Sequence, residues 1–114
     1  MKVPLHNSPD TEAGFTPAEA PYRAIALLKS KSGRGADLAA LTLGVLPDIR
    51  RVDGLVGVEF SCDLHDPDRF ALYYWWRSEE ASKAYTTGPV FASILPRLNE
   101  LVSEHSLFLA RHLG

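Results

Sequence analysis

Hydrophobic residues recur along the first half of the chain with two different periods, and each period predicts one kind of element. Residues 22–29 form a short apolar run followed by a Lys-Ser-Gly-Arg-Gly turn, which is typical of a buried strand. Over residues 36–52 the apolar positions are three or four apart, as on one face of a helix, until Asp53 and Gly54 end the pattern. We expect Pro47 to kink or split this helix.

The middle of the chain predicts a hairpin. Residues 55–64 alternate between apolar and polar side chains, which indicates a second strand. Residues 65–68, His-Asp-Pro-Asp, suit a type I turn, so a third strand begins at Arg69. This strand carries four consecutive aromatic residues at positions 73–76. Because side chains alternate along a strand, we expect two of these rings on each face of the sheet.

The remaining residues predict a second helix and a closing strand. Ser78 is placed to cap a helix whose first turn contains Glu79 and Glu80. Helical spacing then continues to residue 102, with a break or bend expected at Pro96, and residues 106–113 indicate a last strand. The order strand, helix, strand, strand, helix, strand predicts an α+β, ferredoxin-like fold with a four-stranded antiparallel sheet and two helices on one face.

The chain of 114 residues has the length of one domain. We expect residues 1–20, which show no hydrophobic period, to be a partly disordered N-terminal extension and residues 21–114 to form the folded domain. No signal peptide and no apolar run of about 18 residues are apparent, and Cys62 has no second cysteine to pair with. These features predict a cytoplasmic protein that neither spans nor binds a membrane.

Charge and histidine spacing exclude further classes of partner. The formal net charge is −2 without a basic cluster, which argues against a nucleic-acid partner. The four histidines do not have metal-ligand spacing, so we expect no metal site; they are His6, His65, His105 and His112. The Ser-Gly-Arg-Gly sequence at residues 32–35 is interpreted as a plain strand-to-helix turn rather than a phosphate site.

Several segments together resemble the antibiotic biosynthesis monooxygenase family. They are Gly33 after the first strand, Asp53-Gly54 before the second, the DPDRF hairpin, and RFALYYWWRSEEASKAY followed by GPVF. The resemblance covers residues 22–113 and implies a dimeric α/β barrel built from two ferredoxin-like protomers. It also implies a cofactor-independent enzyme that acts on a small aromatic, quinol or polyketide-type substrate, either a monooxygenase that uses O2 or a related isomerase or cyclase.

The chain departs from the family pattern at two positions that matter for chemistry. The resemblance places Tyr74 where family members have a glutamate and Tyr85 where they have a histidine, while Trp76 keeps the family tryptophan. Heme-degrading relatives use an asparagine on the first strand, where this chain has Ala26. The resemblance therefore implies no heme, and it leaves the usual acid and base missing.

A carboxylate on the second strand could replace the missing base. If Leu64 pairs with Arg69, the antiparallel ladder places Glu59 opposite Tyr74 on one face, although a bulge or a five-residue loop would reverse this parity. The predicted catalytic residues are Glu59, Tyr74 and Tyr85. The predicted substrate-binding residues are Trp76, Phe91 and His105.

The opposite face of the sheet predicts the oligomeric state. Tyr73 and Trp75 would lie on this uncovered face, and two copies could cover each other there, so we expect a homodimer. The alternative to an enzyme is a non-catalytic dimeric barrel that binds a small apolar ligand or acts as a partner module. The absence of the family glutamate and histidine favours that alternative.

Overall fold

The computed structural model describes residues 16–114, which form one antiparallel sheet with helices on one side. After a short 3-10 turn at Pro17–Glu19, the elements are β1 (Tyr22–Ser30), α1 (Gly35–Ile49), β2 (Leu55–Cys62), β3 (Arg69–Trp76), α2 (Glu79–Thr86), α3 (Pro89–Leu101) and β4 (Val102–Arg111). The strand order is β2-β3-β1-β4. The predicted ferredoxin-like α+β fold is confirmed.

The two internal prolines affect their helices less than expected. Pro47 lies in the last turn of α1, which is one continuous helix, and Pro96 lies inside α3. The break in the second helical region is instead at Gly88, whose extended backbone precedes Pro89 at the first position of α3. Proline is favoured at that position because its missing N–H would have no partner there in any case. Val102 is already extended, so β4 begins earlier than the predicted residue 106.

The β2–β3 hairpin has a register that differs from the prediction by one residue. Cys62 pairs with Phe70, and the Asp63 N–H donates to the Arg69 carbonyl oxygen over 2.8 Å, which leaves five residues in the loop. The Asp63 carboxylate causes this longer loop because it accepts the N–H groups of His65 and Asp66, at 2.7 and 3.1 Å. Such Asx bonds compete with further strand pairing. The predicted pairing of Leu64 with Arg69 is therefore wrong.

A carboxylate from the hairpin loop hydrogen bonds to the backbone of the turn before α1. Asp68 accepts the N–H groups of Gly33 and Gly35 at 3.1 and 3.0 Å. Gly33 has φ of 76°, a conformation that glycine adopts without strain, and a Cβ on Gly35 would overlap the Pro67 carbonyl oxygen. The Ser-Gly-Arg-Gly segment thus joins β1, α1 and the hairpin.

The main core lies between the sheet and the helices, and a smaller cluster covers part of the other face. Buried residues of the main core are Ala24, Val45, Leu46, Ile49, Leu72, Tyr74, Trp76 and Tyr85. On the other face the rings of Tyr73 and Trp75 stack 5.8 Å apart, and Ala20 packs fully buried against Trp75. Two of the four consecutive aromatic rings of β3 therefore lie on each face of the sheet, as predicted. Residues 1–15 of the predicted extension lie outside the described residues.

Candidate active site

A cavity of about 300 Å³ lies between the sheet and the helices α2 and α3. Its floor is formed by β1 and β4, where Ala24 pairs with Leu109 and Ala26 pairs with Leu107. The two alanines have short side chains in a strand that is otherwise rich in large residues. They leave space under the helices that leucines or valines at the same positions would fill.

Aromatic side chains from three elements form one end of the cavity. Tyr74 and Trp76 project from β3 and stack with ring centroids 5.9 Å apart. The ring centroid of Tyr85 on α2 lies 5.4 Å from that of Tyr74 and 5.6 Å from that of Trp76. The Phe91 ring of α3 is in an edge-type arrangement with Tyr85, with the two centroids 5.7 Å apart. Ser78 caps α2 by accepting the Ala81 N–H at 3.1 Å, which fixes where the helix starts.

The hydroxyl groups of Tyr74 and Tyr85 hydrogen bond to each other at 3.1 Å. Because one hydroxyl donates to the other, the hydrogen of the accepting hydroxyl stays available for a ligand. Burial raises the pKa of Tyr74 strongly, and the neighbouring Tyr85 raises it further. Burial also raises the pKa of Tyr85, against a smaller lowering by the bond with Tyr74. Both residues are therefore neutral donors near pH 7.

The indole of Trp76 lies at the same end of the cavity. Its side chain is 1% exposed, and within residues 16–114 its buried Nε1 has no hydrogen-bond partner. The indole N–H can only donate, and a buried donor without a partner costs about 1–3 kcal/mol. A ligand oxygen that accepts from this N–H would recover that free energy.

The structure brings most of the predicted site residues together in the cavity, but not all of them. Tyr74, Trp76, Tyr85, Phe91 and His105 all line the cavity. Glu59 does not: it pairs with Tyr73, is exposed, and lies on the other face of the sheet. The prediction that Glu59 and Tyr74 share a face is wrong, because the five-residue loop shifts β2 by one residue and exchanges its two faces.

Some lining residues were not among the predicted site residues. Ala24 and Ala26 of β1 form the floor together with Leu107 and Leu109 of β4, which are more than half exposed. The sequence contained a signal for the β1 part of the floor, since two alanines alternate along one face of a predicted strand. The β4 part of the floor could not be assigned without the strand register.

Among residues 16–114, the polar side chains that line the cavity are hydroxyl and amide groups and one imidazole. Besides the aromatic residues, polar side chains come from Ser82, Thr86, Asn99, His105 and Ser106. No carboxylate is among the described residues that line the cavity. Over residues 16–114 there is also no group of three histidine, cysteine or acidic residues placed to hold a metal ion, and no helix long and apolar enough to cross a membrane.

The family described as antibiotic biosynthesis monooxygenase matches residues 21–97, more than half of the chain. The chain therefore belongs to this family, and the predicted relationship is confirmed. No curated protein matches the sequence.

Several solved structures share the fold. PA3566 from Pseudomonas aeruginosa superposes with a TM-score of 0.78 at 18% identity, covering 85% of this chain and 98% of that chain. SO0527 from Shewanella oneidensis gives 0.76 at 19% identity, covering 82% and 92%. A protein named antibiotic biosynthesis monooxygenase gives 0.75 at 16% identity, covering 82% and 99%. At these identities the likeness shows the fold alone.

Proposed function

We propose that the protein is a cofactor-independent monooxygenase that oxidises a small aromatic, quinol or polyketide-type substrate with O2. The observation that carries this proposal is the apolar cavity whose aromatic end contains the hydrogen-bonded Tyr74–Tyr85 pair and the unpartnered Trp76 indole. Membership in a family with monooxygenase in its name supports it. A flat apolar ring fits between the alanine floor and the helices, and its oxygen substituent meets the donors.

The chain's own residues would contribute exclusion of water and stabilisation of negative charge. A hydroxyl of the Tyr74–Tyr85 pair and the Trp76 N–H would donate to an oxygen on which charge develops when the substrate loses a proton. The substrate anion would then reduce O2. For an anthrone, the net reaction converts the ring CH2 group into C=O, with one oxygen atom entering that carbonyl and the other leaving as water.

Oxygen consumption tests this proposal. Purified protein is incubated with a panel of anthrones and hydroquinones in air-saturated buffer, beside the variant Ala26→Leu, whose longer side chain fills the cavity floor. We expect wild-type uptake above the buffer rate for at least one compound, and at least about ten-fold less for the variant, a difference of 1.4 kcal/mol. Uptake at the buffer rate across the panel would overturn the enzymatic proposal.

A second candidate is a barrel that binds the same class of ligand without turning it over. The absence of a carboxylate among the described lining residues favours it, as do two tyrosines that stay protonated near neutrality. Saturable binding of a panel compound with oxygen uptake at the buffer rate would support this candidate. Uptake that follows the same saturation curve would exclude it.

We also infer a homodimer that forms through the sheet face opposite the helices. Phe108 is 63% exposed there, beside its partner Ile25 and next to Leu27, which is exposed as well. A second copy of the same face would cover these side chains by a twofold axis. Sedimentation velocity should give a dimer at micromolar concentration and a monomer for Phe108→Asp; a wild-type monomer would contradict the inference.

A cytoplasmic location is part of the same proposal. Cys62 is exposed and unpaired, which suits a reducing compartment better than an oxidising one. Cell fractionation with an antibody to the protein should recover it with soluble cytoplasmic markers. Recovery with the membrane or secreted fraction would contradict this location.

A further inference from the structure

The cavity has a second polar end, formed by His105. On the sheet, Tyr74 is in register with Ala24 of β1, and Ala24 with Leu109 of β4. His105 lies four residues before Leu109 and pairs with Leu28, so it is on the same face as Tyr74. Four residues of a strand span about 13 Å. Both residues line the same cavity.

The floor between these two ends is apolar. Ala26 and Leu107 form the middle of the floor, and Leu95 of α3 lies on the helix side. A ligand that reaches both ends therefore needs a flat apolar centre and a polar atom at each end. Tyr74 is also two strands away from β4, at about 4.8 Å per strand, so the Cα atoms of Tyr74 and His105 lie roughly 16 Å apart across the sheet. A ligand with two fused rings and a substituent at each end can extend toward both side chains, whereas one ring is too short.

The two ends of the cavity differ in their hydrogen-bonding and proton-transfer chemistry. The aromatic end has one free hydroxyl hydrogen from the tyrosine pair, an indole N–H and no charged group, so it can donate to a carbonyl or an anionic oxygen. At the other end, a nitrogen of the His105 imidazole can act as a proton acceptor. His105 is the one described lining residue suited to this, since the two tyrosines stay protonated and no carboxylate is among them. His105 is also exposed, so it can pass the proton on to water.

We propose that His105 takes the hydroxyl proton of an elongated, conjugated hydroxyaryl ketone whose carbonyl oxygen is held by Trp76 and the Tyr74–Tyr85 pair. This inference rests on the proposed function and deepens it. The O–H bond of the ligand breaks, the proton moves to an imidazole nitrogen, and the electron pair stays on the ligand oxygen. Conjugation spreads that charge through the rings to the distant carbonyl oxygen, where the donors stabilise it.

The test uses a ligand whose colour reports its ionisation. An acetylnaphthol with the acetyl and hydroxyl groups on opposite rings absorbs at longer wavelength when the hydroxyl is ionised. It is added at a pH at which the free compound is neutral, to wild type, His105→Gln and His65→Gln. His65 is an exposed loop histidine and serves as the matched control. Binding is followed separately by equilibrium dialysis.

We expect the anion band for wild type and His65→Gln, and at least a ten-fold smaller anion fraction for His105→Gln at equal occupancy. The methyl ether of the probe, which has no acidic proton, should bind without the band. The shorter para-hydroxyacetophenone should bind and stay neutral. An undiminished anion band in His105→Gln, or an equal band for the short compound, would overturn the inference.

Failure of this inference is distinguishable from failure of the proposed function. An ionised probe in wild type with no oxygen uptake for any panel compound would remove the enzymatic function and support the role of His105. Oxygen uptake that is unchanged in His105→Gln would overturn the role of His105 and support the enzyme. Absence of probe binding to wild type would overturn the inference as stated.

Discussion

The hydroxyl oxygens of Tyr74 and Tyr85 lie 3.1 Å apart inside the fold, although one residue is on a strand and the other on a helix. Burial raises the pKa of both groups. Tyrosine in an unfolded chain ionises near pH 10. The stability that the neutral pair contributes is therefore fully present below about pH 10 and is lost as the pH rises toward the folded-state values.

This gives a prediction for alkaline stability. Urea unfolding of wild type should show a steeper loss of unfolding free energy between about pH 9 and 11 than unfolding of Tyr74→Phe. At pH 7 the same variant should be less stable by about 1 kcal/mol, since Tyr85 loses its partner. Equal slopes for wild type and Tyr74→Phe would show that Tyr74 does not hold a neutral hydroxyl in the core.

A substitution that fills the cavity should weaken ligand binding without a large change in the unfolding free energy. Ala26→Leu places a larger side chain on the floor and should weaken ligand binding at least ten-fold, while the unfolding free energy changes by less than about 1 kcal/mol. Ala40→Leu is the matched control, because Ala40 is exposed on α1 and does not line the cavity. If Ala26→Leu binds as well as wild type by calorimetry, the ligand occupies another site.

The bond network of Asp68 should contribute measurably to stability. Its carboxylate accepts two backbone N–H groups at the start of α1, and such charged hydrogen bonds are worth about 1.5–3 kcal/mol each. Asp68→Ala should lower the unfolding free energy by at least about 2 kcal/mol. Asp37→Ala, which removes an exposed ion pair with Arg34, should cost less than about 1 kcal/mol. Similar values for the two variants would contradict this assignment.

The proposed domain boundary predicts a tolerated truncation. Deleting residues 1–18 keeps Ala20, which packs against Trp75, and all of β1. The melting temperature should therefore change by less than about 2 °C. A larger decrease in a thermal unfolding experiment would place part of the deleted segment in the folded domain.

Element order was predictable from the sequence because period and capping are local properties. The alternating side chains of residues 73–76 fixed that Tyr74 and Trp76 share a face, whichever strands flank them. The face of Glu59 was not predictable, since it depends on where pairing stops in the hairpin. Two hydrogen bonds to the Asp63 carboxylate set that point.

The cavity was harder to predict, because it is space that short side chains leave unfilled between packed elements. Two short side chains in β1 matter only once β4 is known to pair beside them and α3 to lie above. The unpartnered Trp76 Nε1 is likewise a property of the packed core. Neither follows from the composition or the period of the chain.

The central claim, that a ligand oxygen is held at the aromatic end of the cavity, can be tested on the two indole N–H groups. The protein has two tryptophans, Trp75 and Trp76, and they lie on opposite faces of the sheet. Their resonances are assigned in proton–nitrogen correlation spectra with Trp75→Phe and Trp76→Phe. The protein is then titrated with the acetylnaphthol. We predict a saturable downfield shift of the Trp76 N–H with little change at Trp75; saturation of binding without movement of the Trp76 resonance would contradict the account.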